Sequence, residues 1–319
     1  MKMRHSSPLH GSIRCLTLLL LVVFTSPAAI AAQTSDNKNP TWPKLGWSTF
    51  LRGGYVHQFD TDIDNGGSFS VNSLFVQGGA AYTVDNRRGV SLALGYGLDG
   101  YDFSGDTGFG SLNPWNQINS FRISTPGRWG LNRQWTLFAV PTLRFTGESG
   151  ADMGDAVTGG GFVGFSYRFN DRLTIGPGIG VLTQIEDSTS VFPVLIVNWK
   201  ITDRLSLETG RGLGATLGPG VTLNWKASSE WTLTLGGRFE SLRFRLDKNG
   251  NYPNGIGQDQ SFPLFAGATY DFSQQAQAGL VGGVKLGGEF RLEDENGNRL
   301  IEEDYDPAGF VGFIFRFRL

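Results

Sequence analysis

The last eleven residues, Gly309 to Leu319, confine the chain to very few folds. From Phe313 onward the pattern has a period of two. Phe313, Phe315, Phe317 and Leu319 fall on one face of a strand, and Arg316 and Arg318 fall on the other. In water such a strand needs a core for its phenylalanines and solvent for its arginines, at the very end of the chain. A transmembrane β-barrel assigns both faces at once, phenylalanines to lipid and arginines to a wet lumen.

The other end sets the compartment. Lys2, Arg4 and Arg14 precede an apolar run from Cys15 to Phe24, and Ala29-Ile30-Ala31 offers a small-x-small cleavage site. This is the pattern of a secretory signal peptide over residues 1–31. The ten-residue run falls short of the about 20 residues that span a bilayer. Cleavage leaves 24 basic against 29 acidic residues, a net charge of −5, and removes the single cysteine. Nothing in that balance points to nucleic acid, and the mature chain has no disulfide or thiol chemistry. Residues 32–46 follow as a polar leader in which Pro40 and Pro43 oppose both helix and ladder. The rest, 47–319, is read as the folded unit.

Within 47–319 the longest apolar run is Val191 to Val197, too short for a helical span. A membrane-embedded form must therefore be a closed barrel, because only helices and barrels satisfy every backbone group in lipid. The connections support this. Short polar turns at 85–89, 131–133, 170–172, 202–204, 228–230 and 273–275 alternate strictly with mostly longer segments rich in Gly and Asp near 60–67, 102–114, 148–156, 187–190, 211–219, 247–260 and 293–306. Six turns and seven loops join fourteen antiparallel strands with both termini on the turn side. Twelve and sixteen are the neighbouring counts.

Three hairpin segments repeat one scheme, an aromatic and a cation before a tight turn: Tyr167-Arg168, Trp199-Lys200 and Trp225-Lys226. Trp47, Trp129, Trp135, Trp199, Trp225 and Trp231 all lie at the turn side, as an interfacial belt requires. With the signal peptide, hairpin alternation and closing strand, this resembles the outer-membrane β-barrel proteins of Gram-negative bacteria, in particular families without assigned function. The resemblance implies an all-β, up-and-down transmembrane barrel in the outer membrane. It also implies outer-membrane lipid, lipopolysaccharide and the barrel assembly machinery as partners, with no cofactor.

Alternation then sorts the charges. In 276–292 it puts Leu280, Val284, Leu286 and Phe290 on lipid and turns Lys285, Glu289 and Arg291 inward. The same reading sends in Arg52, Asp99, Arg122, Arg144, Arg168, Glu186, Lys200, Glu208, Lys226, Arg238, Glu240, Asp271, Arg316 and Arg318. Eleven cations and six acids give this interior an excess of five positive charges. One reading is a passive small-solute channel that mildly attracts anions. Another is a lumen plugged by charge pairing, in a structural or surface-binding barrel acting through its acidic outer loops.

Those loops are acidic: residues 293–306 hold seven acids and one arginine. The segment fails the EF-hand pattern, because Leu292 stands where the first aspartate belongs. Asn249-Gly250 and Asn296-Gly297 read as tight hairpin turns at the tips of projecting ribbons. The mature chain keeps one histidine, His57, with Asp60, Asp62 and Asp64 nearby, and no serine in a nucleophile-elbow pattern. The expected function is not enzymatic.

Overall fold

Alternating apolar residues between Asn-, Asp- and Gly-containing turns become strand almost throughout. The computed structural model describes residues 45–209 and 220–319; the expected signal peptide and nearly all of the leader lie outside them. Fourteen staves run antiparallel in chain order. They are β1 (Gly46–Asp62), β2 (Ser68–Asp85), β3 (Arg88–Ser104), β4 (Gln117–Ser124, resuming as Gly127–Gly130), β5 (Trp135–Glu148), β6 (Val157–Arg168) and β7 (Leu173–Gln184). Then come β8 (Asp187–Lys200), β9 (Leu205–Thr209), β10 (Gly220–Lys226), β11 (Trp231–Arg238, resuming as Glu240–Arg245), β12 (Ile256–Asp271), β13 (Ala276–Glu293) and β14 (Arg299–Tyr305, resuming as Ala308–Arg318). Two of the three interruptions fall at Pro126 and Pro307, which have no N–H to give the ladder. One short helix, α1 (Gly108–Leu112), follows β3.

The sheet closes where the sequence ends. β14 pairs with β1 from Phe50↔Arg318 to Gln58↔Phe310, leaving no open edge. All six short turns stand where the alternation of connections puts them. Three loops are shorter than read: the β7–β8 connection is Ile185-Glu186, with Glu186 at φ 45°, so residues 187–190 are already strand, as are 256–260 and 299–305.

Below the long loops the barrel is apolar outside and polar inside. Leu94, Leu143, Val191, Leu235, Leu280 and Phe313 stand exposed on the outer wall, and the six turn-side tryptophans ring its lower edge. Among the described residues no helix is long and apolar enough to cross a membrane. Inside, large side chains lie flat. Phe50 faces Gly79, Phe75 faces Gly54, Phe138 faces Gly164, Phe265 faces Gly236 and Phe310 faces Gly283, each in direct cross-strand register. A Cβ on these glycines would meet the facing ring at 2.5–2.9 Å. Inward glycine thus clears room for an aromatic to lie along the wall instead of projecting into the bore.

Above that band the polarity reverses. The upper ends of nine staves form a second, narrower closed ring. Its order is β5, β4, β3, β2, β1, β14, β13, β12 and the upper part of β11. A single parallel bridge, Arg245↔Gly147, returns β11 to β5. A backbone clasp reinforces the bridge: Glu148 accepts from the N–H groups of Asp247 at 3.0 Å and Asn116 at 3.1 Å. The Arg245 guanidinium donates to the carbonyls of Asn254 (2.8 Å), Asp155 and Glu295, and to Glu186 at 2.7 Å.

The ring is filled. Phe69, Phe109, Phe244 and Phe290 are fully buried and Trp115 is 1 % exposed, packed with Tyr101, Phe103 and Tyr305 at ring separations down to 4.6 Å. Each buried aromatic stabilises the cap by roughly 2–3 kcal/mol through area removed from water. The two loops read as projecting hairpin ribbons are built into this ring. Asn249-Gly250 lies in a longer connection, where Leu246 N–H donates to Gly255 O. Asn296-Gly297 sits in a turn capped by Asp294, whose carboxylate accepts from the N–H groups of Asn296 and Asn298.

Candidate functional site

Register places charge on the inner wall in an order that alternation alone does not supply. One hydrogen-bonded row reads Asp271, Gln277, Arg316, Arg52, Gln77, Gly95, Arg122, Arg144, Thr158 across β12, β13, β14, β1, β2, β3, β4, β5 and β6. Every member shares the inner face, because directly paired residues point to the same side of the sheet. Barrel strands tilt, so a row perpendicular to them climbs. Arg316 lies near the turn-side end of β14, and Thr158 is the second residue of β6 at the loop side. The arginines therefore ascend the wall as two pairs. Arg316↔Arg52 stands low and Arg122↔Arg144 stands high, about 14 Å apart at the usual strand spacing.

The lower pair is held by amides. Arg52 Nε donates to Gln77 Oε1 and Arg316 Nη2 to Gln277 Oε1, both at 2.6 Å. In the upper pair, Arg144 has no carboxylate within ion-pair distance among the described residues. Like charges directly opposite one another on a sheet oppose folding.

A different arrangement lies across the bore under the cap. Arg238 forms an ion pair with Glu240, both side chains about nine-tenths buried, and the Arg238 guanidinium lies 5.8 Å over the Phe265 ring. Asp259 accepts from Tyr101 Oη and Tyr305 Oη, each at 2.9 Å, and so joins the aromatic cap to the polar bore. Lys285 faces inward near this group, paired in register with Ala308 and Pro263.

Three sequence-derived lumen residues are corrected. Glu289 and Arg291 do not face inward; they lie on the outer surface of the cap, where Arg291 pairs with Glu289 at 3.0 Å and Glu302 at 2.9 Å. The cause is a bulge in β13, where Ser261 opposes both Gly287 and Gly288. Gly287 takes φ 56°, a left-handed conformation open to glycine. The extra residue reverses the alternation, so Phe290, read as lipid-facing, is buried in the cap. Glu186 is likewise not a wall residue: it sits on the β7–β8 turn and meets Arg245.

Two inward charges escape the sequence reading. Arg128 faces in because the break at Thr125-Pro126 resets the face of β4, as its pairing with inward Phe138 shows. Asp259 was hidden in a segment read as loop. The alternation of Asp259, Ser261 and Phe265 was the available signal.

No group of His, Cys, Asp or Glu suited to a metal occurs among the described residues. The acids of 293–306 hold structure instead: Glu293 binds Arg243, Glu302 binds Arg299, and Glu303 faces the N–H of Phe109 in α1. His57 is on the outer face, 2.9 Å from Asn72 Oδ1.

The family model described as "Domain of unknown function (DUF6268)" matches residues 129–308. No curated protein matches the chain by sequence. Among solved structures, the COG4313 outer membrane channel from Pseudomonas putida F1 is similar at 11% identity and a TM-score of 0.48, over 86% of this chain and 96% of that one. A Pseudomonas aeruginosa FadL homologue aligns at 10% identity and a TM-score of 0.44, covering 85% and 89%. The P. putida toluene transporter TodX aligns at 10% identity and a TM-score of 0.43, covering 92% of both chains.

Proposed function

We propose that this chain, which belongs to the DUF6268 family of unassigned function, is an outer-membrane channel that passes small solutes passively and favours anions. The observation that carries the reading is the climbing arginine row. Rings and ladders of cations at a pore wall lower the barrier for anions and raise it for cations. The apolar outer wall with its tryptophan belt fits an outer-membrane bilayer, with lipid and lipopolysaccharide around it and the assembly machinery acting at β14. The signal peptide supplies the export this requires.

On this reading solutes do not pass through the cap, whose nine-stave ring is packed with aromatics. They leave the bore on the side of β6 to β10, the staves outside that ring. The arginine row ends there, at Thr158 on β6. The filled cap also supports a second reading, a closed barrel that works through its outer surface.

Purified protein in a planar bilayer decides between them. Discrete conductance steps with anion preference are expected. Arg52→Glu with Arg316→Glu should move the reversal potential toward cation selectivity. Arg238 and Lys285 are weaker choices for this test, since Arg238 is already paired with Glu240 and Lys285 lies near Asp99. Silent bilayers from demonstrably folded protein would establish the closed reading.

A further inference from the structure

The five staves outside the cap ring, β6 to β10, run round the barrel from β5 to β11, and the bridge from β11 to β5 is the seam that closes the ring. The mouth beside the cap therefore lies between that seam and the arc of β6 to β10. The β7–β8 turn belongs to the arc, yet it docks on the seam. Arg243 Nε donates to Ile185 O at 2.8 Å, and Arg245 Nη2 donates to Glu186 Oε1 at 2.7 Å. The Glu186 carbonyl also abuts the cap turn at Gly297, where a Cβ would lie 2.6 Å from it. A two-residue turn between neighbouring staves needs no such reach for its own hairpin.

The docking rests on few groups. Both guanidiniums are fixed in the cap, Arg243 on Glu293 and Arg245 on the carbonyls of Asn254, Asp155 and Glu295, and both side chains are buried. On the turn, Ile185 is buried while the Glu186 side chain is 46 % exposed. Glu186 takes φ 45°, a left-handed conformation that a residue with a Cβ keeps only where its surroundings impose it. A polar cavity of about 590 Å³ adjoins the turn, lined by Asp155, Val157 and residues 184–187, so room for movement lies next to it. Strained backbone held by a few partly exposed contacts opens at lower cost than the whole fold.

We propose that the β7–β8 turn is a strap that shuts the outer mouth beside the cap, held by the Glu186–Arg245 ion pair and the Arg243–Ile185 hydrogen bond, and that it lifts to let solutes pass. This goes beyond the channel reading and rests on it only for what crosses the mouth.

The test uses the full mature chain. The single cysteine of the sequence, Cys15, precedes the expected cleavage site, so an introduced thiol reports without background. Ile185→Cys is the reporter, labelled by a maleimide on folded protein in detergent, and Met153→Cys, at a position 64 % exposed, gives the rate of open labelling. The strap should label far more slowly than Met153→Cys. Adding Glu186→Gln, which removes the ion pair and keeps the side-chain length, should speed labelling at least about tenfold, the factor carried by one charge-assisted hydrogen bond. Glu186→Asp should fall between the two, and Arg291→Gln on the outer cap should change nothing. Heat-modifiable migration on a gel shows that each variant is folded. In planar bilayers Glu186→Gln should raise the open fraction over wild type.

Labelling of Ile185→Cys as fast as that of Met153→Cys overturns the strap, as does slow labelling that Glu186→Gln leaves unchanged. Faster labelling with unchanged conductance in a conducting protein shows a turn that moves without gating, and overturns it too. Channel and strap fail separately. Faster labelling in a protein whose bilayers stay silent keeps the strap and removes the channel. Conductance from a protein whose labelling ignores Glu186 does the reverse.

Discussion

The membrane-facing barrel and the cap above it are built from the same strands with opposite polarity. In β13, Leu280 and Val284 face outward and Lys285 inward; a few residues later Phe290 is buried inside and Arg291 lies outside. Lipid outside and a wet bore inside demand one arrangement, and water outside with a packed centre demands the other. A strand that crosses both zones must either change composition or change face. β2 and β3 change composition, keeping one alternation while Phe69, Tyr101 and Phe103 replace smaller or polar inward residues. β13 changes face, using the bulge at Gly287. The second route places large aromatics where alternation would have put charge.

The sharpest way to break this contrast is at the closing strand. Phe317 lies on the lipid face, paired with Leu51 and Ala276. Phe317→Asp, or deletion of 317–319, should abolish assembly, because a barrel with an unpaired last strand has an open edge in lipid. Gels should then show no heat-modifiable species. Retention of the full shift by both variants would mean that β14 does not close the barrel there.

The cap should fail separately. Phe290→Ala empties a fully buried aromatic position and should cost about 3–5 kcal/mol. The loss should fall on the upper ring: limited proteolysis should cut near 246–255 and 294–298 while the heat-modifiable barrel persists. Global loss of the barrel would show that cap and membrane zone fold as one unit.

Gly287→Val asks whether the bulge sets the face of the strand. A β-branched residue at φ 56° is strained by roughly 1–3 kcal/mol. The expected result is a cap that opens to protease with the membrane zone intact, at a smaller loss than for Phe290→Ala. An unchanged cap would show that the aromatic core, not the glycine, selects the register.

The smallest effect belongs to a turn outside both zones. The Asp85 carboxylate accepts from the N–H groups of Arg87 and Arg88 and from the Arg88 side chain. Those bonds hold its pKa below the ordinary carboxylate value, the Arg87 N–H bond contributing most. A depressed pKa stabilises the fold above the unfolded-state value of 3.8, and that contribution is lost as pH falls through the folded-state value. Comparing wild type with Asp85→Asn, the midpoint difference should therefore shrink as pH falls from 5 toward 3. A difference that grows on acidification would reverse the assignment.

Much of this protein was legible as sequence, for a physical reason. Alternation and turn chemistry are local properties, so the strands, the turn and loop sides, the tryptophan belt and the count of fourteen followed from residues within a few positions of one another. The same period assigns Arg52, Arg122, Arg144, Arg238, Glu240 and Lys285 to one face of their strands by local pattern alone. What escaped depended on partners far along the chain. The climb of Arg316, Arg52, Arg122 and Arg144 along one row is a matter of register between strands up to some 260 residues apart in sequence, set by cumulative tilt. Glu289 and Arg291 left the lumen because one residue at Gly287 has no counterpart on β12, which no local pattern reveals. The cap exists because Arg245 reaches Gly147 across the mouth. The sequence by itself determined that the chain is a barrel and which way most side chains face. Only the tertiary structure decided which arginines stand together and that an aromatic core caps nine of the fourteen staves, because pairing and closure act between segments that the linear pattern leaves independent.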